Sequence, residues 1–420
     1  MPLREVWMFV AISSIVLSVG VIVITRATRR DPSVSPRLLM LALAARVAGA
    51  LAYYGVFRIV YGGLGDSVLY ASRGVEIAEG LGSFHPPPLL VPGPASTGTQ
   101  VTEYLAGVMF TITGPTVLGA FIVWAALSFV GAWYFYKAFR VSFPEGNSRL
   151  YGWLIFLLPS MLYWASFLGK DALMLLFLGV ATYGCALLFR GRFARGLVCL
   201  AIGEAGVMVL RAPIALAITV AALAGLLTAG ARRTRLPAPR WAASILVITS
   251  LAIAAASITR SSMRGGSVAG AFAEQETEAH GGTGDLSHHR SNFEAPNPFT
   301  PAGLPVAIVT TNLRPFPWEA RTGLQAVQAL ESFFVLAVLV WRRREIVRGL
   351  ATWRSNGMVV VVAVSFLALS ILLSPLGNFG LLSRQRTQVL PFLLLLPAMV
   401  MPRGKQEDEP SGEPGRAKVG

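Results

Sequence analysis

Tyr151-Gly-Trp-Leu-Ile-Phe-Leu-Leu-Pro-Ser-Met-Leu-Tyr-Trp-Ala-Ser-Phe-Leu168 and Ala172-Leu-Met-Leu-Leu-Phe-Leu-Gly-Val-Ala-Thr-Tyr-Gly-Cys-Ala-Leu-Leu-Phe189 are two apolar runs separated only by Gly169-Lys170-Asp171. A helix that crosses a bilayer needs about 20 mostly apolar residues. These runs therefore read as two crossings joined by a three-residue turn. Working outward, the same reading places apolar spans at 7–25, 38–61, 116–136, 151–168, 172–189, 197–210, 213–230, 241–258, 322–341, 357–375 and 388–402. The 197–230 stretch reads equally as one long helix broken at Arg211-Ala-Pro213, because proline removes a backbone donor. The expected fold is an all-α integral membrane protein with about 11 transmembrane helices and short interfacial helices in its first large outer loop.

Composition agrees. The 420 residues are 54% hydrophobic and 14% charged, against about 25% charged in soluble domains. The net charge of +15 would suggest nucleic acid in a soluble chain, but its positions follow topology. Arg26, Arg29, Arg30 and Arg37 fall in one connection, Lys137, Arg140 and Arg149 in another. Arg190, Arg192 and Arg195 come next, then Arg232 to Arg240, then Arg342 to Arg354. Basic connections stay inside, so these are expected in the cytoplasm with the C-terminus, and the N-terminus outside. No nucleic-acid signature appears. Cys185 and Cys199 make neither a disulfide framework nor a metal site.

The chain divides into an extra N-terminal helix and basic loop (1–37), a polytopic core (38–402) with outer loops 62–115 and 259–321, and a disordered cytoplasmic tail (403–420). In the first outer loop, apolar residues at near-helical spacing follow Ser67, a candidate cap. A second amphipathic piece, Thr102 to Thr113, is too short to cross and is expected in the interface. His280, His288 and His289 lie in a Gly-rich stretch without helical spacing and are not read as a metal site.

The polar residues beside the spans carry the functional reading. Asp66 ends Tyr61-Gly-Gly-Leu-Gly-Asp66, where the glycines permit tight turning; a solvated turn residue is the plain alternative. Lys170 reads as a snorkelling cation or a phosphate ligand, and Asp171 as a helix-start acid or a partner of Asp66. Arg211 lies inside an apolar stretch, where charge is costly; Glu204 is one candidate partner. Arg384 and Arg386 sit outside against the inside bias, and arginine suits phosphate. Arg314 and Glu319 flank Pro315-Phe-Pro-Trp318, an interfacial anchor or a substrate loop.

The Gly-Asp66 loop with Tyr70 after it and the run Pro159-Ser160-x-x-Tyr163-Trp164-x-Ser166-x-x-x-Lys170-Asp171 resemble motifs of the GT-C superfamily, and Arg314-Pro-Phe-Pro-Trp-Glu319 resembles a run that recurs in such bacterial membrane proteins of unassigned activity. The GT-C enzymes are polytopic glycosyltransferases that use polyprenyl-phosphate sugars, such as protein O-mannosyltransferases and lipid A aminoarabinose transferases. The chain departs from them in its extra first span and in having no large soluble domain after the last span.

The resemblance implies a plasma-membrane hexosyl- or pentosyltransferase acting on the outer face with inversion, for cell-envelope glycan synthesis. Asp66 would be the base, and Asp171 would orient the acceptor or hold a divalent cation. Lys170, Arg211, Arg384 and Arg386 would bind the donor phosphate, with Tyr70, Arg314, Trp318 and Glu319 in substrate loops. Partners would be a polyprenyl-phosphate-linked sugar, a glycan, lipid or protein acceptor, and membrane lipids. The alternatives are an O-antigen-type polysaccharide polymerase, a lipid-linked sugar flippase or transporter, and a structural scaffold. The catalytic reading predicts that Asp66, Asp171, Arg211, Arg314 and Arg384 converge on one cavity.

Overall fold

The structure, a computed structural model, describes residues 3–31, 34–60, 62–63, 65–85, 87–91, 96–234, 236–262 and 292–401. His280, His288, His289 and the expected tail 403–420 lie outside the described residues. Among the described residues the regular structure is helical, without strands.

The helices are α1 (Leu3–Arg30), α2 (Pro36–Ile59), α3 (Asp66–Gly82), α4 (Thr97–Thr113), α5 (Val117–Ser142), α6 (Ser148–Leu157), α7 (Pro159–Tyr163) and α8 (Lys170–Phe189). They continue as α9 (Phe193–Thr234), α10 (Ala238–Ser262), α11 (Gly303–Leu313), α12 (Gly323–Trp341), α13 (Arg343–Ala351), α14 (Gly357–Leu372), α15 (Phe379–Gln385) and α16 (Leu390–Leu395). Seven of these described helices are long and apolar enough to cross a membrane, or up to eight if the pair bent by 117° around residues 354–357 is one span.

Prolines account for much of the difference from the eleven runs expected. The 151–168 run is not one helix: α6 ends at Leu157 after 10 residues, Leu158 is extended (φ −62°, ψ 127°), and α7 has only 5 residues. Pro159 has no N–H to continue the ladder. The 388–402 run is broken likewise, at Pro391 and Pro397, into a 3₁₀ turn, α16 and a second 3₁₀ turn. Its backbone still winds right-handed at each junction, and residues 386–399 are buried on every side. A stretch apolar all round belongs at a centre.

The 197–210 and 213–230 runs form α9, which folds back at Arg211 (φ −154°, ψ 85°). Thr219 Oγ1 lies 3.2 Å from Glu204 Oε2, 15 residues earlier. In a straight helix those residues would be about 22 Å apart. Glu204 therefore pairs with Thr219 across the fold-back and is not the partner of Arg211.

Small residues let the central helices touch backbone to backbone, as in membrane bundles. A methyl on Gly131 of α5 would fall 2.4 Å from the carbonyl oxygen of Leu175 in α8, and one on Gly179 would fall 2.2 Å from that of Gly131.

The contacts separate two ends of the bundle. At one end Arg140 meets Asp31 at 2.6 Å, Arg190 donates to the Val141 carbonyl at 2.8 Å, Asn356 to Ser142 at 3.0 Å and Arg342 to Pro397 at 3.0 Å. The basic connections gather there. The loop after α2, the starts of α4 and α8, the α9 fold-back and α15 meet at the other end.

Candidate functional site

Three glycines bring the chain from α2 into α3. Gly62, Gly63 and Gly65 have φ of 60°, 78° and 134°, values that cost a side-chain-bearing residue strain. They deliver Asp66 to the first turn of α3. The expected Ser67 cap is not made; Gly65 occupies the cap position, and Ser67 instead donates to the Leu168 carbonyl at 3.1 Å. That bond fixes α3 to the Gly169-Lys170-Asp171 turn, which Trp124 holds from α5 through its own bond to the Gly169 carbonyl at 3.1 Å.

Arg384 of α15 joins the two acids. Its Nη1 donates to Asp66 at 2.6 Å and its Nε to Asp171. The guanidinium lies over the Phe167 ring, 5.0 Å from the centroid. Asp171 is fully buried and also accepts from Arg211 Nη2 and Gln388 Nε2, each at 3.4 Å. Burial opposes the charge on Arg384, and the two carboxylates it pairs with, Asp171 and Asp66, offset that cost. Lys170 donates to Ser96 at 2.9 Å. Two carboxylates thus face three cations, and the cluster carries a net positive charge.

Helix ends add to that charge. The N-termini of α3, α4, α8 and the second limb of α9 converge here, each carrying a partial positive charge that favours anions. Gly98 at the start of α4 packs against the Leu210 backbone, leaving no room for a side chain. Arg211 Nη1 is buried without a hydrogen-bond partner among the described residues. The arrangement is built to hold an anion beside two carboxylates. A divalent cation at Asp171 does not fit, since both carboxylate oxygens already face guanidinium groups.

An open cleft of about 630 Å³ leads away from this cluster between α3 and α4, lined by Asp66, Tyr70, Arg73, Glu76, Glu103 and Lys170 among others. Burial pushes the Tyr70 phenol up to about 12 and raises the Glu103 carboxyl.

The other expected site residues lie elsewhere. Arg314 pairs with Glu319 at 2.9 Å and stands over Phe293, 4.4 Å from its centroid. Trp318 stacks on Phe316 and is 80% exposed. Arg386 turns away from Arg384 into a buried pocket. There it donates to the carbonyls of Asn312 (3.1 Å) and Arg314 (2.9 Å) and to Ser332 (3.0 Å), with Glu331 at 4.0 Å. Glu331 in turn accepts from the Ser160 backbone N–H. Arg386 therefore clamps backbone and does not share a phosphate site with Arg384, and Arg314 does not join the cavity as expected.

Sequence reading missed Gln388, Phe167 and Glu103. Gln388 was legible, being four residues after Arg384 and so on the same helical face. Glu103 was not, because only the packing of α4 on α3 brings it to Lys170.

Comparison with protein-family models, with curated proteins and with solved structures found no match for this chain.

Proposed function

We propose that the chain is a membrane-embedded glycosyltransferase of the GT-C kind, moving a sugar from a polyprenyl-phosphate donor to an acceptor hydroxyl. The observation that carries this reading is Arg384 bridging Asp66 and Asp171 at the meeting point of four helix N-termini. It supplies, within one cluster, a water-facing carboxylate to take a proton and fixed cations to receive a departing phosphate.

In the proposed step the acceptor oxygen forms a bond to the anomeric carbon as its proton passes to Asp66. The bond from that carbon to the phosphate oxygen breaks, and its electrons leave with the lipid phosphate. Lys170, Arg211 and Arg384 receive the charge. Attack opposite the phosphate inverts the anomeric centre. Asp171, buried between two guanidinium groups, keeps them in place.

This reading takes 148–169, both limbs of α9 and 379–399 as crossings, giving about eleven in the plasma membrane. The basic end faces the cytoplasm and the site faces out, with α3 and α4 lying in the outer interface. A flippase needs a polar path through the centre. Arg46 binds Ser128 and the Met161 carbonyl, whereas Glu204 binds Thr219, and no contact between the described residues links the two.

The test is transfer of labelled sugar from a polyprenyl-phosphate donor pool into envelope glycan, comparing wild type, Asp66→Asn and a full deletion at matched membrane abundance. Loss in both variants supports the reading. Loss in the deletion alone rejects Asp66 as the base and favours a polymerase or transporter.

A further inference from the structure

The cleft between α3 and α4 differs in chemistry from the cation cluster at its inner end. Of its lining residues only Leu69 is apolar; Ser72, Thr99 and Tyr70 carry hydroxyls, and the rest are charged. A volume of about 630 Å³ is in the range of small-molecule sites, but those are mostly apolar.

The charges in the cleft are not equally available. Arg73 and Glu76 pair with each other. Asp66 is held by Arg384 and Lys170 by Ser96. Glu103 is half-buried, lies near Arg73 and Lys170, and makes no hydrogen bond or ion pair among the described residues. A carboxylate only accepts, and a partly desolvated one with open lone pairs calls for O–H or N–H donors. Glu76 and Asp66 are offset by Arg73 and Arg384, so an added anion in the cleft would meet the unpaired Glu103 carboxylate.

We infer that this cleft seats a neutral, polyhydroxylated ring, a sugar, and that Glu103 accepts from its hydroxyl groups. The site then divides by charge. Phosphate belongs with Arg384 and Arg211 at the inner end, the sugar ring with Glu103, Thr99 and Tyr70 in the cleft, and Asp66 and Lys170 at the boundary. This deepens the proposed glycosyl transfer, on which it rests for the identity of the anion, but its own test reads binding alone.

The experiment is saturation-transfer-difference NMR on the full chain in detergent, with a neutral disaccharide and a uronic-acid disaccharide of the same size as probes. The expected result is transfer to the neutral sugar and little to the uronate. Glu103→Gln should weaken binding about tenfold, the size of a lost charge-assisted hydrogen bond. Glu79→Gln, an exposed acid on α3 outside the cleft, should leave it unchanged. Equal binding of uronate, unchanged binding in Glu103→Gln, or no sugar signal from a wild type that melts cooperatively would overturn the inference. Failure of the glycosyltransferase reading looks different: Asp66→Asn retains sugar transfer, whatever the cleft binds.

Discussion

Arg384 and Asp171 lie 213 residues apart in the chain, and their side chains are hydrogen-bonded in a fully buried setting for the acid. Neither charge is tolerable there alone. Removing one partner of a buried ion pair costs about 3–5 kcal/mol, because the other is left desolvated. Asp171→Ala should therefore lower the thermal unfolding midpoint of the detergent-solubilised protein sharply, and Asp171→Asn less so. An unchanged midpoint in Asp171→Ala would show that the pair does not hold the bundle.

Asp66 makes the opposite prediction. Its side chain is 53% exposed, and exposed ion pairs contribute about 0–1 kcal/mol. Asp66→Asn should keep the wild-type melting behaviour while losing at least about a hundredfold in sugar transfer, the usual contribution of a general base. A parallel fall in stability would assign Asp66 a structural role instead.

Arg384 reaches two carboxylates through two different nitrogens, which the planar guanidinium allows and a single ammonium does not. Arg384→Lys is expected to keep the charge and lose most of the activity. Activity equal to wild type would mean that charge alone suffices.

Arg386 should behave as a clamp. Arg386→Ala leaves Glu331 buried and frees the 312–314 backbone, so a loss of about 3 kcal/mol is expected. Transfer per folded molecule should change little. A selective loss of donor affinity at normal stability would return Arg386 to the phosphate site.

Gly98 ties packing to chemistry. A Cβ at this position would fall 2.5 Å from the Leu210 carbonyl oxygen, so Gly98→Val must push α4 away from the α9 fold-back. The α4 wall of the cleft is then displaced beside Lys170. The expected outcome is weaker sugar binding with a cooperative melt; wild-type binding would show that α4 is not a rigid wall.

The convergence of Asp66, Asp171, Arg211 and Arg384 was legible because each is a charge at the end or break of an apolar run. Arg386 was misread as a companion of Arg384. Two residues along a helix point to nearly opposite faces, and that spacing alone separates them. Pro159, Pro391 and Pro397 hide from a hydropathy count, so broken segments looked like full helices. Arg314 reads as part of an interfacial anchor or of a substrate loop, and its pairing with Glu319 over the Phe293 ring is visible only in the fold.

The order in which the chain is synthesised gives the Arg384 bridge another meaning. Asp66, Asp171 and Arg211 are all made before Arg384. A nascent or truncated chain that stops short of α15 holds Asp171 against Arg211 alone, and leaves Asp66 loose at the mouth of the cleft. The acids gain their shared counter-ion only when the final segment packs between α8 and α12. The same contact that shapes the site can thus form only after the C-terminal segment has been made and packed.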